Sequence, residues 1–358
     1  MPGGLTRRRA VLVSATLAAT AASGALSVLG ASDVVTFVVC TMALAGLAWL
    51  VSLATEAIGE HYGPAVTGFL QSTLGNLPEL FVVFFALRAG ELLVAQTAIL
   101  GSLFANALLV LGLVIIVGAR AAEDGVMRFR KRLPRDTSTL LIMAVFIISL
   151  LGLAVVSGDR AARHQLVISS FGAVCLIVVY VTWLVRYLRD DRAAQQARVG
   201  ATAQAAGVTV PAAVVLLSIA GVGAALVSDW FVAALDPAIH SLHLSKAFAG
   251  LVIVAIAGNA VENVTGVVLA AKGRSDLAIS VVKNSVGQIA VFLFPALVLL
   301  SLLLSTHLVL VVPPVYIGAL TLTALALWQI TGDGEAYAFE GLALVVMYLI
   351  LAVFALYE

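Results

Sequence analysis

Long apolar stretches alternate along the chain with short segments that carry charges, glycine or proline. Each stretch has about 20 residues or more, the length that an α-helix needs to cross the hydrocarbon core of a bilayer. The pattern predicts eleven spans, at 10–30, 34–54, 65–87, 92–118, 139–157, 166–186, 210–233, 247–271, 276–303, 308–330 and 339–357. The predicted fold class is therefore an all-α, polytopic membrane protein.

The composition supports the same class of protein. Hydrophobic residues make up 62% of the 358 residues and charged residues 11%, whereas soluble domains have roughly 45–50% and 25%. A net charge of +1 without a basic stripe argues against nucleic-acid binding. Cys40 and Cys175 lie in separate apolar stretches, which predicts neither a disulfide framework nor a zinc site. We expect a lipid bilayer around the chain, and no cofactor.

The distribution of Lys and Arg predicts how the chain is oriented. With the N-terminus in the cytoplasm and eleven alternating crossings, most of the 20 Lys and Arg residues fall on the inner side. This places the C-terminus outside. We expect the membrane to be the inner (plasma) membrane of a bacterium. Arg7–Arg9 could instead open a cleaved signal peptide. The stretch after them has no convincing small-residue cleavage site, so we expect a retained helix.

Two polar motifs repeat at a constant offset along the chain. GNLPE at 75–79 matches GNAVE at 258–262, an offset of 258 − 75 = 183 residues. In the same register Gly90 pairs with Gly273, and Ser102 pairs with Ser285. Glycine, asparagine, glutamate and serine are the residues that packing in lipid explains least. The matches therefore indicate an internal repeat.

The repeat predicts four segments: 1–33 as an extra N-terminal helix, 34–187 as a first five-helix repeat, 188–208 as a cytoplasmic linker and 209–358 as a second five-helix repeat. Because five is an odd number, the second repeat enters the membrane from the opposite side and is inverted. Inverted repeats with substrate near the bilayer midplane are typical of secondary transporters. The architecture thus favours alternating access.

Two acids, Glu79 and Glu262, occupy equivalent positions well inside predicted spans. A carboxylate at that depth costs several kcal/mol unless it is paired, hydrated or neutralised. One such acid could be a hydrogen-bonded structural residue. Two at equivalent positions of a repeat carry two negative charges, which match one divalent cation.

Oxygen-bearing residues near the acids complete the predicted site, since Ca²⁺ takes about six to eight oxygen ligands. Asn76 and Asn259 precede the acids by three residues and so share their helix face. Pro78 lacks a backbone donor, which frees the carbonyl of Leu74. The following helix of each repeat adds further polar residues, whose alternative role is hydrogen bonding between helices. They are Gln96, Ser102 and Asn106, then Asn284, Ser285 and Gln288.

The motifs and their surroundings resemble the signature repeats of cation/proton exchangers in the calcium/cation antiporter superfamily. The similar segments are GNLPEL, GSLFANALLVLG, GNAVEN and NSVGQIAVFLFP, with TEAIGEHYGP and LSKAFAGL before the motifs. The resemblance covers nearly the whole chain and implies exchange of Ca²⁺, or of Na⁺ or K⁺, for protons at Glu79 and Glu262. It implies Glu56 as a further acid on the access path, unless that residue is an exposed interfacial acid. The residues that it places around the site are Asn76, Asn259, Ser102, Ser285 and Gln288.

Three positions depart from the family pattern. The family usually has His where Asn263 stands, and Gly-Ser where Asn284 and Ser285 stand. Lys283 is the most unusual, because an intramembrane lysine opposes cation binding. It lies about 200° around the helix from Ser285, so it could face away, snorkel or lose its proton. Alternatively, it acts as a built-in cation and alters the exchanged ion.

Other classes of function fit the sequence less well. The HExxH and GxSxG motifs are missing, so we do not expect an enzyme. Channels usually build rings of identical sites around a pore, whereas this chain has one pseudo-symmetric pair of acids. The alternatives to a Ca²⁺/H⁺ antiporter are a cation channel and a monovalent cation/H⁺ antiporter.

Overall fold

A computed structural model of the protein describes residues 7–62, 74–196 and 209–358. Within these ranges the side chains of a few helical residues, among them Glu56 and Glu262, lie outside the description. The predicted place of Glu56 on the access path therefore falls outside the description. The first part of the third predicted span also lies outside the described residues.

Helices form most of the described chain, as the apolar stretches predict. Up to residue 196 they are α1 (Arg7–Leu29), α2 (Asp33–Tyr62), α3 (Leu77–Arg88), α4 (Leu92–Ala121), α5 (Arg132–Val156) and α6 (Gln165–Gln196). Those that follow are α7 (Val210–Leu242), α8 (Lys246–Gly258), α9 (Ala260–Ala271), α10 (Ser275–Ser301), α11 (Pro314–Thr331) and α12 (Ala338–Leu356). A short 3-10 helix, Arg160–His164, joins α5 to α6.

Nine helices of the described chain are long and apolar enough to cross a membrane, and the bent pair α8–α9 forms a tenth candidate span. These ten coincide with ten of the predicted spans. Helix α3 forms the end of the remaining one, predicted at 65–87. The prediction of a helical, polytopic membrane protein is confirmed.

The helix boundaries repeat at the same offset as the sequence motifs. Helices α3 and α9 contain 12 residues each and start 260 − 77 = 183 residues apart. Helix α4 starts at Leu92 and α10 at Ser275, again 183 apart. Gly90 and Gly273 precede these starts with φ angles of 83° and 70°, a conformation that favours glycine. The backbone therefore repeats along with the sequence.

Short π-helical segments interrupt three of the described helices. They are Ala105–Val110 in α4, Ala249–Val254 in α8 and Ile289–Leu293 in α10. The first and the last end at equivalent positions, since 110 + 183 = 293. Wide turns of this kind are frequent at functional sites. Two predicted site residues lie here: Asn106 in the first segment, and Gln288 just before the last.

Helix α11 begins at Pro314, although the span was predicted to start at 308. Residues 308–313 are not helical, because Pro313 and Pro314 disfavour helical backbone in the residues before them. The Leu310 N–H donates a 3.0 Å hydrogen bond to Ser169 Oγ. Such bonds stabilise non-helical backbone at membrane depth.

A two-stranded antiparallel ribbon, β1 (Val126–Arg128) and β2 (Glu335–Tyr337), departs from the all-α prediction. It joins the connection between α4 and α5 to the connection between α11 and α12. Arg128 donates a 2.6 Å hydrogen bond to Asp124, which lowers the pKa of that carboxyl group. Strands of three residues are too short to show a hydrophobic period, so the sequence does not predict them.

The chain divides into two compact units. The first comprises Met1–Phe85 and Val181–His243, and the second comprises Ala86–Tyr180 and Leu244–Glu358. In the first unit α2 packs along α7, and α1 packs against both. In the second unit α4 packs against α8 and α12, α5 packs against α11, and α9 packs against α10.

Candidate functional site

Both predicted acids lie in the first turn of a helix that starts inside a predicted span. Glu79 is the third residue of α3, and Glu262 is the third residue of α9. At the second break, α8 and the segment Asn263–Ala271 of α9 meet at 56°. The first turn of a helix has backbone N–H groups without intrahelical partners and favours negative charge. The local backbone thus suits a carboxylate at both positions.

The first motif is buried within the first unit. Glu79 is 1% exposed and Asn76 is 5% exposed. The Asn76 carbonyl accepts a 2.9 Å hydrogen bond from the Leu80 N–H, so this residue opens α3. Leu74 is half-buried just before the break. The structure therefore places three predicted ligands, Leu74, Asn76 and Glu79, in one short stretch at the start of α3.

In the second unit, Asn259 joins Ser102 and Asn106 in a buried hydrogen-bond network. The Asn259 amide nitrogen donates to Ser102 Oγ and to the Ala255 carbonyl, each at 2.9 Å. Its Oδ1 accepts a 3.0 Å bond from the Asn106 amide nitrogen. None of the three side chains is more than 1% exposed. Predicted site residues from both repeats thus meet in one network.

One oxygen atom of this network has no hydrogen-bond donor among the described residues. It is Oδ1 of Asn106, which is fully buried. A buried acceptor without a donor costs about 1–3 kcal/mol. Amide oxygens are also ligands that Ca²⁺ prefers, so this atom is chemically suited to bind a cation.

A close crossing of α4 and α8 positions the network. A Cβ atom at Gly101 would overlap the Leu251 carbonyl, and one at Gly250 would overlap Thr97 Oγ1. The two backbones come into contact because both positions are glycine, as is common where membrane helices pack. Ser102 follows Gly101 directly, so the crossing holds its hydroxyl at the second helix break.

Ser285 and Gln288 are buried on α10, with exposed fractions of 2% and 3%. Helix α10 packs against α9 and against the π-helical segment of α4. These elements carry Glu262 and Asn106, respectively. The structure therefore brings α10 against two other elements of the predicted site.

The two asparagines that depart from the family pattern add further amide oxygens to α9 and α10. Oδ1 of Asn263 and Oδ1 of Asn284 are buried, and neither has a donor within the described part of the chain. This chain therefore places amide oxygens close in sequence to Glu262 and Ser285.

Gln96 lies apart from the network, although we expected it to line the site. Its amide nitrogen donates a 2.9 Å hydrogen bond to the Val311 carbonyl. Val311 belongs to the non-helical segment before α11, whose backbone groups need partners at membrane depth. The contact gives Gln96 the hydrogen-bonding role that was the alternative for these polar residues, with a partner that the sequence does not reveal.

Lys283 is buried inside the second unit, with an exposed fraction of 1%, and does not snorkel. Its Nζ atom donates hydrogen bonds to Ser138 Oγ at 2.9 Å and to Thr331 Oγ1 at 3.3 Å. These hydroxyls belong to α5 and α11, and they are 145 and 48 residues away in sequence. No local pattern could identify them as partners.

Contacts between connections agree with the predicted alternation of sides. On the predicted outer side Lys246 pairs with Glu91, with Nζ 2.9 Å from Oε2. On the predicted inner side the Arg130 N–H donates a 2.7 Å hydrogen bond to Asp276. The ribbon also joins two connections that are both predicted to be inner. Each contact links connections that an even number of spans separates.

Comparison with known proteins reaches the same class. The profile of the sodium/calcium exchanger protein family matches residues 32–188 and 212–357. The vacuolar calcium ion transporter of Schizosaccharomyces pombe is 31% identical over 322 residues, which cover 88% of this chain and 77% of that protein. The Ca²⁺/H⁺ antiporter ChaA of Bacillus subtilis is 30% identical over 340 residues, covering 93% and 96%.

A solved structure agrees with the fold. The Ca²⁺/H⁺ antiporter YfkE superposes with a TM-score of 0.78 at 27% identity, over 96% of this chain and 100% of that one. The matched segments of the family profile begin and end near the bounds of the two predicted repeats. The chain therefore belongs to the sodium/calcium exchanger protein family.

Proposed function

We propose that the protein is a secondary antiporter that exchanges Ca²⁺ for protons by alternating access, with Glu79 and Glu262 as shared cation and proton sites. The observation that carries this proposal is the repeated backbone around the two acids. Each is the third residue of a 12-residue helix that starts after a break within a span. The names of the relatives support calcium and protons as the exchanged ions.

The charges of the two acids explain the exchange. Two carboxylates balance the charge of one Ca²⁺ or of two protons, so the site is neutral with either substrate bound. A neutral site crosses the membrane interior between inward-facing and outward-facing states at much lower cost than a charged one. Because Ca²⁺ and protons bind the same pair of carboxylates, cation binding expels protons and proton binding expels the cation. Antiport follows from this competition.

Neighbouring oxygens supply the remaining ligands in this proposal. From the first repeat they come from the Leu74 carbonyl, Asn76, Ser102 and Asn106, and from the second repeat they come from Asn259, Ser285 and Gln288. The buried Asn106 Oδ1, which has no donor among the described residues, supports a ligand role. We give Gln96 a supporting role, because its amide holds the segment before α11.

We further propose that the chain lies in a bacterial inner membrane with its N-terminus in the cytoplasm and its C-terminus outside. The Lys and Arg residues concentrated in connections of one predicted side support this orientation. The ribbon and the α9–α10 connection then face the cytoplasm, and the Lys246–Glu91 pair faces outward.

Transport by the purified protein in proteoliposomes with an imposed pH gradient tests the function. We expect wild-type protein to accumulate Ca²⁺ against its gradient, and Glu79→Gln and Glu262→Gln each to stop accumulation, since one charge cannot balance a divalent ion. Glu123→Gln, at an exposed acid in the connection after α4, is the matched control. Ca²⁺ uptake that does not depend on the pH gradient would favour a channel. Exchange of Na⁺ or K⁺ alone would favour a monovalent antiporter.

A further inference from the structure

Three buried amide oxygens of the second unit have no hydrogen-bond donor among the described residues. They are Oδ1 of Asn106 in α4, of Asn263 in α9 and of Asn284 in α10. These helices are neighbours, because α9 packs against α10 and α4, and α10 packs against the π-helical segment that contains Asn106. Buried acceptors in proteins almost always have a partner. Three of them on adjoining helices therefore indicate a ligand that binds oxygen atoms.

The packing at Gly266 indicates the direction of Asn263. A Cβ atom at Gly266 would lie 3.0 Å from a methyl group of Val282 in α10 and 3.1 Å from one of Val114 in α4. This face of α9 is therefore directed at α10 and α4. Asn263 precedes Gly266 by three residues and lies on the same face. Asn259, one turn earlier on this face, bonds two residues of α4.

Asn263 also lies at the level of Ser285, a proposed ligand on α10. Helices α9 and α10 run antiparallel, because they pack against each other and only residues 272–274 connect them. Asn263 is three residues before Gly266, and Ser285 is three residues after Val282, so the two occupy the same level of the helix pair. Ser285 is about 60° around α10 from Val282, which is the side that faces α9. The amide of Asn263 therefore lies on the side of α9 where Ser285 is.

Asn284 shares a face of α10 with Gln288, which follows it by four residues. Val282 faces α9, and Lys283 bonds hydroxyls of α5 and α11. Asn284 lies about 200° and about 100° around the helix from these two residues. It is half-buried, although its amide oxygen is buried without a described donor. Asn284 thus lies one helical turn from a proposed ligand, on the same face.

We propose that Asn263 and Asn284 are two further ligands of the transported cation, which they bind through their amide oxygens. The inference rests on the proposed function of Glu79 and Glu262. Ca²⁺ takes about six to eight oxygen ligands, and amide oxygens raise the number of ligands without adding charge. The two carboxylates therefore still balance the charge of one Ca²⁺. The bound ion gives the buried amide oxygens the partner that the surrounding helices do not supply.

Calcium titration and thermal unfolding of the purified protein in detergent test this role. We expect Asn263→Leu and Asn284→Leu, which keep much of the side-chain shape, each to weaken calcium affinity about tenfold or more. Without Ca²⁺ neither variant should melt below wild type, because the amide oxygen has no hydrogen bond to lose. If a leucine variant does not fold, alanine at the same position also removes the oxygen.

Ser280→Ala, one turn before Asn284 on α10, is the matched control. Its hydroxyl already has a partner, since it donates a 2.6 Å hydrogen bond to the Asp276 carbonyl. We therefore expect this variant to keep its calcium affinity within about twofold of wild type.

Calcium affinity that stays within about twofold of wild type in both leucine variants would overturn the inference. So would a loss of affinity together with a calcium-free melting temperature several degrees below wild type, because a disturbed fold would then be its cause. Failure of the proposed function gives a different result: wild-type protein would bind no Ca²⁺, or Glu79→Gln would bind it as tightly as wild type.

Discussion

The amide nitrogen of Asn259 lies 2.9 Å from Ser102 Oγ and donates a hydrogen bond to it. This bond joins the helix break of the second repeat to the polar helix of the first. Asn106 completes the network, because its amide nitrogen bonds both the Asn259 side chain and the Ser102 carbonyl. A residue singled out as a cation ligand is therefore also the centre of a buried polar network.

Replacement of Asn259 separates its role in the network from that of Ser102. We expect Asn259→Ala to reduce calcium transport at least tenfold and to destabilise the protein by about 1–3 kcal/mol, because it leaves buried partners unpaired. Ser102→Ala removes one acceptor and should cost about 1 kcal/mol. Transport assays and thermal unfolding in detergent measure both effects. An Asn259→Ala variant with normal transport would exclude this residue from the site.

The crossing of α4 and α8 predicts strong sensitivity at Gly101. An alanine there would overlap the Leu251 carbonyl, so the helices must separate, and Ser102 must move with α4. We expect Gly101→Ala to cost about 1–3 kcal/mol of stability and to reduce transport. Gly318→Ala in α11 is the control, because no atom of the described residues outside the local helix backbone and the neighbouring residues lies within 4 Å of the added carbon. Equal melting temperatures for the two variants would contradict the crossing.

Cysteine labelling tests the predicted sides of the membrane. In a background without Cys40 and Cys175, we expect Glu335→Cys, in β2, to react with an impermeant maleimide only from the cytoplasmic side. Asp159→Cys, between α5 and α6, should react only from outside, because an odd number of spans separates the two positions. Reaction of both from the same side would show that the span count between them is wrong, and reaction from exchanged sides would show that the orientation is wrong.

Much of the fold can be predicted from the sequence because the two repeats still match in their polar residues. The offset of 183 that relates Gly90 to Gly273 also relates the starts of α4 and α10. Gly75 and Gly258, which the repeat pairs in the same way, lie at the two helix breaks. The second break forms although Val261 replaces the proline, and the Asn259 side chain there bonds the Ala255 carbonyl at the end of α8.

Contacts between distant segments could not be predicted in the same way. The partners of Lys283 lie on α5 and α11, and the partner of Gln96 lies in a non-helical segment that two prolines create. Each contact depends on which helix faces fold against each other. A single sequence carries no periodic signal for that arrangement. Hence the sequence places Gln96 and Lys283 within spans but does not predict what they bind.

The pH dependence of calcium binding tests the central claim most directly. Carboxylates must lose their protons to bind a metal ion, so a site shared by both substrates releases protons when it binds the cation. Calcium titrations of the purified protein in weak buffer, between about pH 6 and pH 8, measure affinity and released protons together. The account predicts that affinity weakens steeply as the pH falls, with more than one proton released per Ca²⁺. An affinity independent of pH, without proton release, would contradict a shared site at Glu79 and Glu262.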